Sequence, residues 1–524
     1  MKSGHIPSVM THRFSEVPKV NIPRSSFDRS HGIKTTFDSG YLIPIMVDEA
    51  LPGDTFKVKL TAFARMATPI YPIMDNVYMD IFHFAVPMRL VWDNFQKFMG
   101  EQIDPGDSID YTIPTYNNPG SVVSAGSTFD YFGIPTDVAG IFNKISALPA
   151  RANNLIWNQW FRDENLQDSL TVDMDDGPDS NAPYTALNRR GKRHDYFTSA
   201  LPWAQKGDSV DLPLGTTAPV ISTGDGRPVF DIGGTDHQLT GAAATTTAYW
   251  DPVNVAGGYA EWDDTKLVAD LTTATAATIN QLREAFSVQA LLERDARGGT
   301  RYPEIVLSHF GVTTPTAGWR SEYLGGSSQM VNISPIAQTS STDATSPQAN
   351  LAAMGTVSIN NDGYTKSFTE HTILLSYANI RADLTYQQGL NRMWSRSTRY
   401  DFYWPALANL GEQGILNQEI YYNNDANDEL VFGYQERWAE YRYKPSIITG
   451  LFRSNASGTL DSWHLSQDFA SLPSLNAAFI EDDPPIDRVV AVPSEPQWLF
   501  DGYFSMKCIR PMPLYGVPGQ GGHF

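Results

Sequence analysis

Residues 189–197, Arg189-Arg190-Gly191-Lys192-Arg193-His194-Asp195-Tyr196-Phe197, form the densest basic cluster of the chain. Four cations beside Tyr196, Phe197 and the nearby Trp203 can track phosphates while bases stack on the rings, the way single-stranded nucleic acid is held. The same cations can instead be salt-bridged at a subunit contact, and the residues leave both readings open. A related texture lies at 391–404, where Arg392, Arg396 and Arg399 interleave with Trp394, Tyr400, Phe402, Tyr403 and Trp404. Residues 432–453 repeat it, partly neutralised by Glu436 and Glu440. A third basic stretch opens the chain: Lys2, Arg13, Lys19, Arg24, Arg29 and Lys34 face only Glu16 and Asp28. It is either a phosphate-contacting arm or a terminus that packs on a neighbour.

Catalytic groupings are harder to find. There is no His-Glu-x-x-His, no Gly-x-Ser-x-Gly and no phosphate-cradling Gly-x-x-x-x-Gly-Lys. His83 and Glu370-His371 fall on expected strands, where a hydrogen-bonded core histidine is the commoner role. Asp173-Met174-Asp175-Asp176-Gly177 resembles a calcium loop, but that loop needs its glycine at position six, and here it comes one residue early with Pro178 behind it. A solvated acidic loop is the better reading. No catalytic residue, metal site or cofactor is assigned. Paired carboxylates of a glycosidase need not be close in sequence, so a β-rich carbohydrate-binding or glycoside-cleaving protein stays as the alternative.

Composition narrows the classes further. Over 524 residues the formal net charge is -20, with 12% aromatic and 18% charged residues. Average soluble chains carry about 25% charged residues. Few charges and many rings suit large buried interfaces, and the acidity argues against whole-surface attraction to nucleic acid or anionic membrane. The single cysteine, Cys508, excludes an internal disulfide and a cysteine-based zinc cluster. With no apolar leader at the N-terminus and no run approaching 18 apolar residues, neither export nor membrane insertion is expected.

The elements that must position these groups are mostly strands. Residues 40–47 form an apolar run of strand length. Pro52-Gly53-Asp54 is turn chemistry, and Phe56, Val58, Leu60 and Ala62 then alternate with polar residues. Residues 76–87 are apolar on both faces, which predicts a central strand. Strand signals return at 368–377, 380–386, 486–492 and 498–509, and Cys508 shares a face with Phe500, Phe504 and Met506. Helices are expected over 90–99, 151–164 and from Thr278, where Gln281 completes a capping box and Ile279, Leu282, Phe286 and Ala290 form a stripe. Residues 101–150 read as a turn-rich surface excursion and 325–363 as a Ser/Thr/Asn-rich passage. The stretch 215–276 is Thr/Ala/Gly-rich, with eight acids against two bases, and reads as an outward insertion.

The expected division is therefore a basic arm (1–39), a first core part (40–214), the insertion (215–276), a second core part (277–510) and an extended tail (511–524). Core strands at both ends of the sequence suit a mainly β, two-sheet jelly roll with long loop insertions and a few short helices.

Several segments resemble the major capsid proteins of microviruses of the gokushovirus type. They include Ser26-Phe27-Asp28-Arg29-Ser30, Leu51-Pro52-Gly53-Asp54-Thr55, Val86-Pro87-Met88-Arg89-Leu90-Val91-Trp92 and Gly191-Lys192-Arg193-His194-Asp195-Tyr196-Phe197. Ala296-Arg297-Gly298-Gly299-Thr300-Arg301-Tyr302, Phe432-Gly433-Tyr434-Gln435-Glu436-Arg437-Trp438 and Leu460-Asp461-Ser462-Trp463-His464 continue the match in one order along nearly the whole chain. Residues 101–150 and 215–275 depart from it. The resemblance implies an eight-stranded viral jelly roll that self-assembles into a small icosahedral (T=1) shell around circular single-stranded DNA, assembled in the host bacterial cytoplasm. It also implies virion partners, a small basic DNA-binding protein and a DNA pilot protein, and protrusions built from the insertion that meet a host receptor. Within that picture the DNA-facing candidates are Arg13, Lys19, Arg24, Arg29, Arg189, Arg190, Lys192, Arg193, Arg392, Arg396 and Arg399. The receptor-facing candidates are Asp225, Asp236, Trp250, Tyr259 and Trp262.

Overall fold

The computed structural model describes residues 23–118, 120–208, 210, 279–313, 315, 318–339, 348 and 350–515, and the backbone of short strands between 220 and 269. The chain divides into two compact units, Met1–Ala204 with Gly298–Phe524, and Gln205–Arg297.

Ten strands build the two main sheets of the larger unit: β1 (Ser25–Asp28), β2 (His31–Phe37), β3 (Ile43–Ala50), β4 (Thr55–Met66), β5 (Val77–Pro87), β6 (Glu322–Met330), β7 (Asn332–Ala337), β8 (Leu351–Ser367), β9 (Thr372–Ala382) and β10 (Trp498–Arg510). They pair antiparallel in two sheets. One runs β10-β4-β8-β7, with β1 and β2 both on the outer edge of β10; the other runs β6-β5-β9-β3. Setting β1 and β7 aside as extensions, four strands lie in each sheet, an order consistent with the expected eight-stranded jelly roll. The unit is mainly β, and its short helices lie in the connections.

Periodicity explains why each sheet sits where it does. Along β4 and β10 every second residue is buried and the rest face outward. Such a sheet has one wet face. Phe500, Phe504, Met506 and Cys508 enter the core together, the side expected for Cys508. In contrast β5 and β9 are buried on both faces. Their inner side, including Ile81, Ala85 and Leu374, meets the first sheet. Their outer side, including Phe84, Val86, Leu375 and Tyr377, packs beneath Trp92, Phe95, Leu148, Ile156 and Trp157. The 88–161 region is thus a lid on the second sheet. At full burial each such apolar side chain contributes ~1.5–3 kcal/mol.

Several expectations need correction. Residues 25–37 are strand rather than arm, because β10 offers an edge that β1 and β2 complete. Residues 325–363, read as a polar passage, hold β6, β7 and most of β8. β6 and β7 are edge strands largely open to solvent, so no apolar alternation marks them. The buried Val331 is the corner where the chain leaves one sheet for the other. Residues 101–150 are not an open excursion: Tyr116, Val123, Phe129, Phe142 and Ala147 bury one another with Tyr184. The strand expected over 486–492 is a short 3-10 turn at Ile486–Arg488, wedged into the core. The helix expected over 90–99 shrinks to single turns at Met88–Leu90 and Phe95–Phe98. The one expected over 151–164 begins earlier, as α1 (Leu148–Ile156), and ends in a π-turn at Trp157–Phe161.

The smaller unit contains short antiparallel pairs. Val229–Asp231 lies between Glu261–Trp262 and Asp236–Gly241, which also pairs with Ala248–Trp250; Val220–Ser222 pairs with Leu267–Ala269. It also contains α2 (Ile279–Arg297), assigned from the sequence to the second core part. The expected cap, Thr278, lies outside the described residues. Ile279 and Phe286, read as the packing stripe, are 69% and 65% exposed. Leu282, from the same expected stripe, is half-buried, as are Gln289 and Leu292, and the Leu292 carbonyl accepts from Lys206 N–H at 3.3 Å.

Candidate nucleic-acid interface

The basic segment is stitched into the larger unit from two sides. Arg190 N–H donates to the Gly40 carbonyl at 2.9 Å and Lys192 N–H to the Ile480 carbonyl at 2.7 Å. Asp482 N–H donates back to the Arg190 carbonyl at 2.8 Å. The segment therefore runs as an extended bridge between 40–41 and 480–482, with its side chains thrown to either hand.

Each of its cations meets both a ring and an acceptor. Arg189 lies 4.2 Å from the Tyr41 ring and 2.9 Å from Asp483. Arg190 lies 4.7 Å from the Phe82 ring and pairs with the buried Asp80, with Asn379 at 3.1 Å. Lys192 sits 4.7 Å from the Phe479 ring and donates to the Phe479 carbonyl at 2.6 Å. Arg193 lies 4.4 Å from the Tyr78 ring and 2.8 Å from Asp383. Aromatic interleaving is thus present, but the rings differ from those expected. Tyr196 and Phe197 turn away and are buried with Tyr386 and Phe432, so no base can stack on them.

Burial shapes the protonation around this bridge. It pushes the Asp482 carboxyl up to about 7, against the pull of Lys192, Arg190 and Arg381, and it lowers Lys192. Arg381, whose Nε lies 2.9 Å from Asp80 without hydrogen-bond alignment, is pulled down to about 10, first by burial and then by Arg190.

The other sequence candidates fall in separate places. Arg24 bonds the Gly53 carbonyl and Thr55 (3.3 Å to Oγ1), and Arg29 pairs with Asp48 at 2.7 Å. Arg392 donates to the Gly414 carbonyl at 2.8 Å and lies 3.7 Å from Glu419, whose pKa burial raises. Arg396 sits 4.4 Å from the Tyr441 ring and 3.7 Å from Glu440. Arg399 is exposed and donates to the Tyr400 hydroxyl at 2.8 Å. Around it Trp394, Tyr400, Phe402 and Trp404 are at least half exposed, an apolar patch of the kind that partners cover. Arg13, Lys19, Asp225 and Tyr259 lie outside the described residues. Asp236, Trp250 and Trp262 lie on short strands of the smaller unit, where the backbone pairs Asp236 with Asp231, Trp250 with Leu239 and Trp262 with Phe230.

The acidic loop at 173–177 spends its carboxylates on protein donors. Asp176 accepts from Trp92 Nε1 at 2.7 Å and from Asn94, and Asp173 from the Tyr184 hydroxyl at 3.1 Å. His83 is fully buried, its ring bonded to Ser376 Oγ at 2.7 Å and Asp362 at 3.2 Å. That order of serine, histidine and carboxylate has a hydrolase's composition, yet Ser376 and His83 are both 0% exposed and no substrate can reach them. The three side chains bond one another inside the fold.

Among the described residues no helix is long and apolar enough to cross a membrane. Residues 15–520 match the capsid protein (F protein) family. The chain is 48% identical to capsid protein VP1 of Bdellovibrio phage phiMH2K, with 98% of both chains covered. It is 43% identical to VP1 of Chlamydia phage 1 over 99% of each and 38% identical to VP1 of Spiroplasma virus 4 over 97% of each. Matches that span both ends of a two-sheet β fold make the chain a member of the phage capsid protein (F protein) family.

Proposed function

We propose that this gokushovirus-type major capsid protein closes into a small icosahedral shell around circular single-stranded DNA, its basic, ring-lined surfaces facing the genome and its insertion facing the host. The observation that carries the reading is the full-length likeness to capsid proteins, such as the 48% identity to VP1 of Bdellovibrio phage phiMH2K. Composition supports it. Obligate interfaces bury roughly 2,000–5,000 Å², and the exposed rings at 394–404 and 441–443 supply apolar surface for neighbouring copies to cover. A closed symmetric assembly satisfies that surface on every copy. With a net charge of -20 the subunit cannot neutralise a genome through its average surface, so a small basic DNA-binding protein is the expected companion, with a DNA pilot protein as a second. The glycoside-cleaving alternative has no observation in its favour.

Replacing residues 220–270 with a short Gly/Ser linker tests the division of labour. Particles are expected to form in near-normal yield while adsorption to host cells drops at least tenfold, read by electron microscopy and by residual infectivity in the supernatant. Loss of particles would place that stretch in the assembly contacts instead.

A further inference from the structure

A cleft of about 820 Å³ opens in the larger unit where β5, the start of β6 and the basic bridge meet. Its size falls within the ~300–1,000 Å³ of ligand pockets. Part of its lining is one continuous aromatic group. Tyr323 lies 5.3 Å from Phe84 and 5.8 Å from Trp160 between ring centroids, and Phe82 lies 5.3 Å from Phe161. Two of these rings reach the open space: Tyr323 is 41% exposed and Trp160 37%.

Tyr323 is placed there by a distortion of the sheet. The register of β6 against β5 shifts between Tyr323 and Gly325, and Gly325 takes φ 125°, a conformation L side chains rarely adopt. The bulge leaves Tyr323 opposite Phe84 while Leu324 packs on the core. Bulges of this kind re-aim side chains beside binding sites.

The remaining lining carries six arginines and lysines against three carboxylates, Asp163, Glu164 and Glu304, the last two paired with Arg301. Arg190, Lys192, Arg193 and Arg381 lie around two ion-paired carboxylates, Asp80 and Asp383. A third, Asp482, has one buried oxygen with no hydrogen-bond partner and holds its proton up to about 7. Arg193 and Arg381 each keep a buried Nε without a hydrogen-bond partner.

We propose that this cleft is a nucleotide site, in which a phosphate lies against Arg190, Arg193 and Arg381 while the base stacks on Tyr323. Only a ligand that brings both an anion and a flat ring satisfies both parts of the lining. The assignment rests on the nucleic-acid reading of the basic bridge and sharpens it, from a track along the backbone to a seat for one unstacked nucleotide. The source of that nucleotide is either a strand or a free monophosphate, and the chemistry of the seat is the same.

The test uses purified full-length protein, oligothymidylate carrying 5-iododeoxyuridine, and thymidine monophosphate. Irradiation is expected to crosslink the oligonucleotide to the peptide holding Tyr323 or Trp160. Tyr323→Ala is expected to weaken oligonucleotide binding about 5- to 100-fold. Competition by the monophosphate at comparable concentration assigns the seat to free nucleotide; binding of the oligonucleotide alone assigns it to a strand. Crosslinks confined to other peptides, or an affinity for Tyr323→Ala within twofold of the parent, overturn the proposal. Particle formation in the same preparations reports separately on the shell, so particles without a crosslink in the cleft reject the seat alone.

Discussion

Arg151→Ala is expected to destabilise the folded chain by about 3–5 kcal/mol, the loss that follows when one partner of a buried ion pair is removed. Arg151 is fully buried on α1. Its Nε and Nη2 donate to the two oxygens of Asp179 at 2.8 and 2.6 Å, and Nη1 donates to the carbonyls of Val91 and Asp175 at 3.0 Å each. One guanidinium thus ties the helix to the turn after β5 and to the acidic loop. Removing it strands Asp179, whose side chain is 1% exposed. Lysine cannot replace the planar fork, so Arg151→Lys is expected to fall near the alanine variant. The urea midpoint of the unassembled chain, followed by tryptophan fluorescence, measures both. A shift of less than 1 kcal/mol for alanine would mean that the pair does not hold the lid on the second sheet. Arg151→Ala combined with Asp179→Ala is expected to lose less than the sum of the two single losses.

Asp80→Asn carries the second large effect, again about 3–5 kcal/mol. The shape is kept and only the charge is removed. Asp80 is 3% exposed, accepts from Arg190 and lies 2.9 Å from Arg381 Nε. Without it two guanidinium groups crowd each other at a buried position. Arg193→Gln is the informative contrast, since Arg193 and Asp383 are 33% and 30% exposed and such pairs contribute ~0–1 kcal/mol. It should leave the urea midpoint nearly unchanged while weakening oligonucleotide binding. If Arg193→Gln instead unfolds the chain and leaves binding intact, the bridge is structural only.

These two sites explain how far the sequence could be read. Strands with one wet face announce themselves, as the alternation in β4 and β10 does. A strand buried on both faces is also legible, because β5 has few polar residues to interrupt it. Edge strands are not, since β6 and β7 need no apolar face and β7 even carries Pro335, which an edge tolerates. The basic segment was conspicuous as composition, but its partners were not: Asp80 and Asp383 lie far off in sequence and only the fold brings them near. Tyr196 and Phe197 were chosen for adjacency, and packing with Tyr386 and Phe432 from distant segments turned them inward. Tyr323 was missed although Trp319 and Arg320 precede it, because its ring partners Phe84 and Trp160 come from distant segments that only the fold brings near. Arg151 was missed for a related reason. A lone arginine in an expected helix gives no sign that its acid comes from the loop beyond.

The same distances account for the buried serine–histidine–aspartate contact. His83 was recognised as a core residue, yet Ser376 and Asp362 join it only through the register of β9 against β5 and the fold of β8. Geometry without access is packing, and the polar groups of that contact serve the sheet.

The central claim is that this chain is a shell subunit whose exposed rings are covered by further copies of itself. Sedimentation velocity on the purified full-length protein, with electron microscopy of the fastest fraction, tests it most directly. Closed particles of uniform size, or discrete oligomers that convert to them as concentration rises, are the predicted result. A single monomeric boundary at every concentration, with Trp394 and Trp404 still open to solvent, would contradict it.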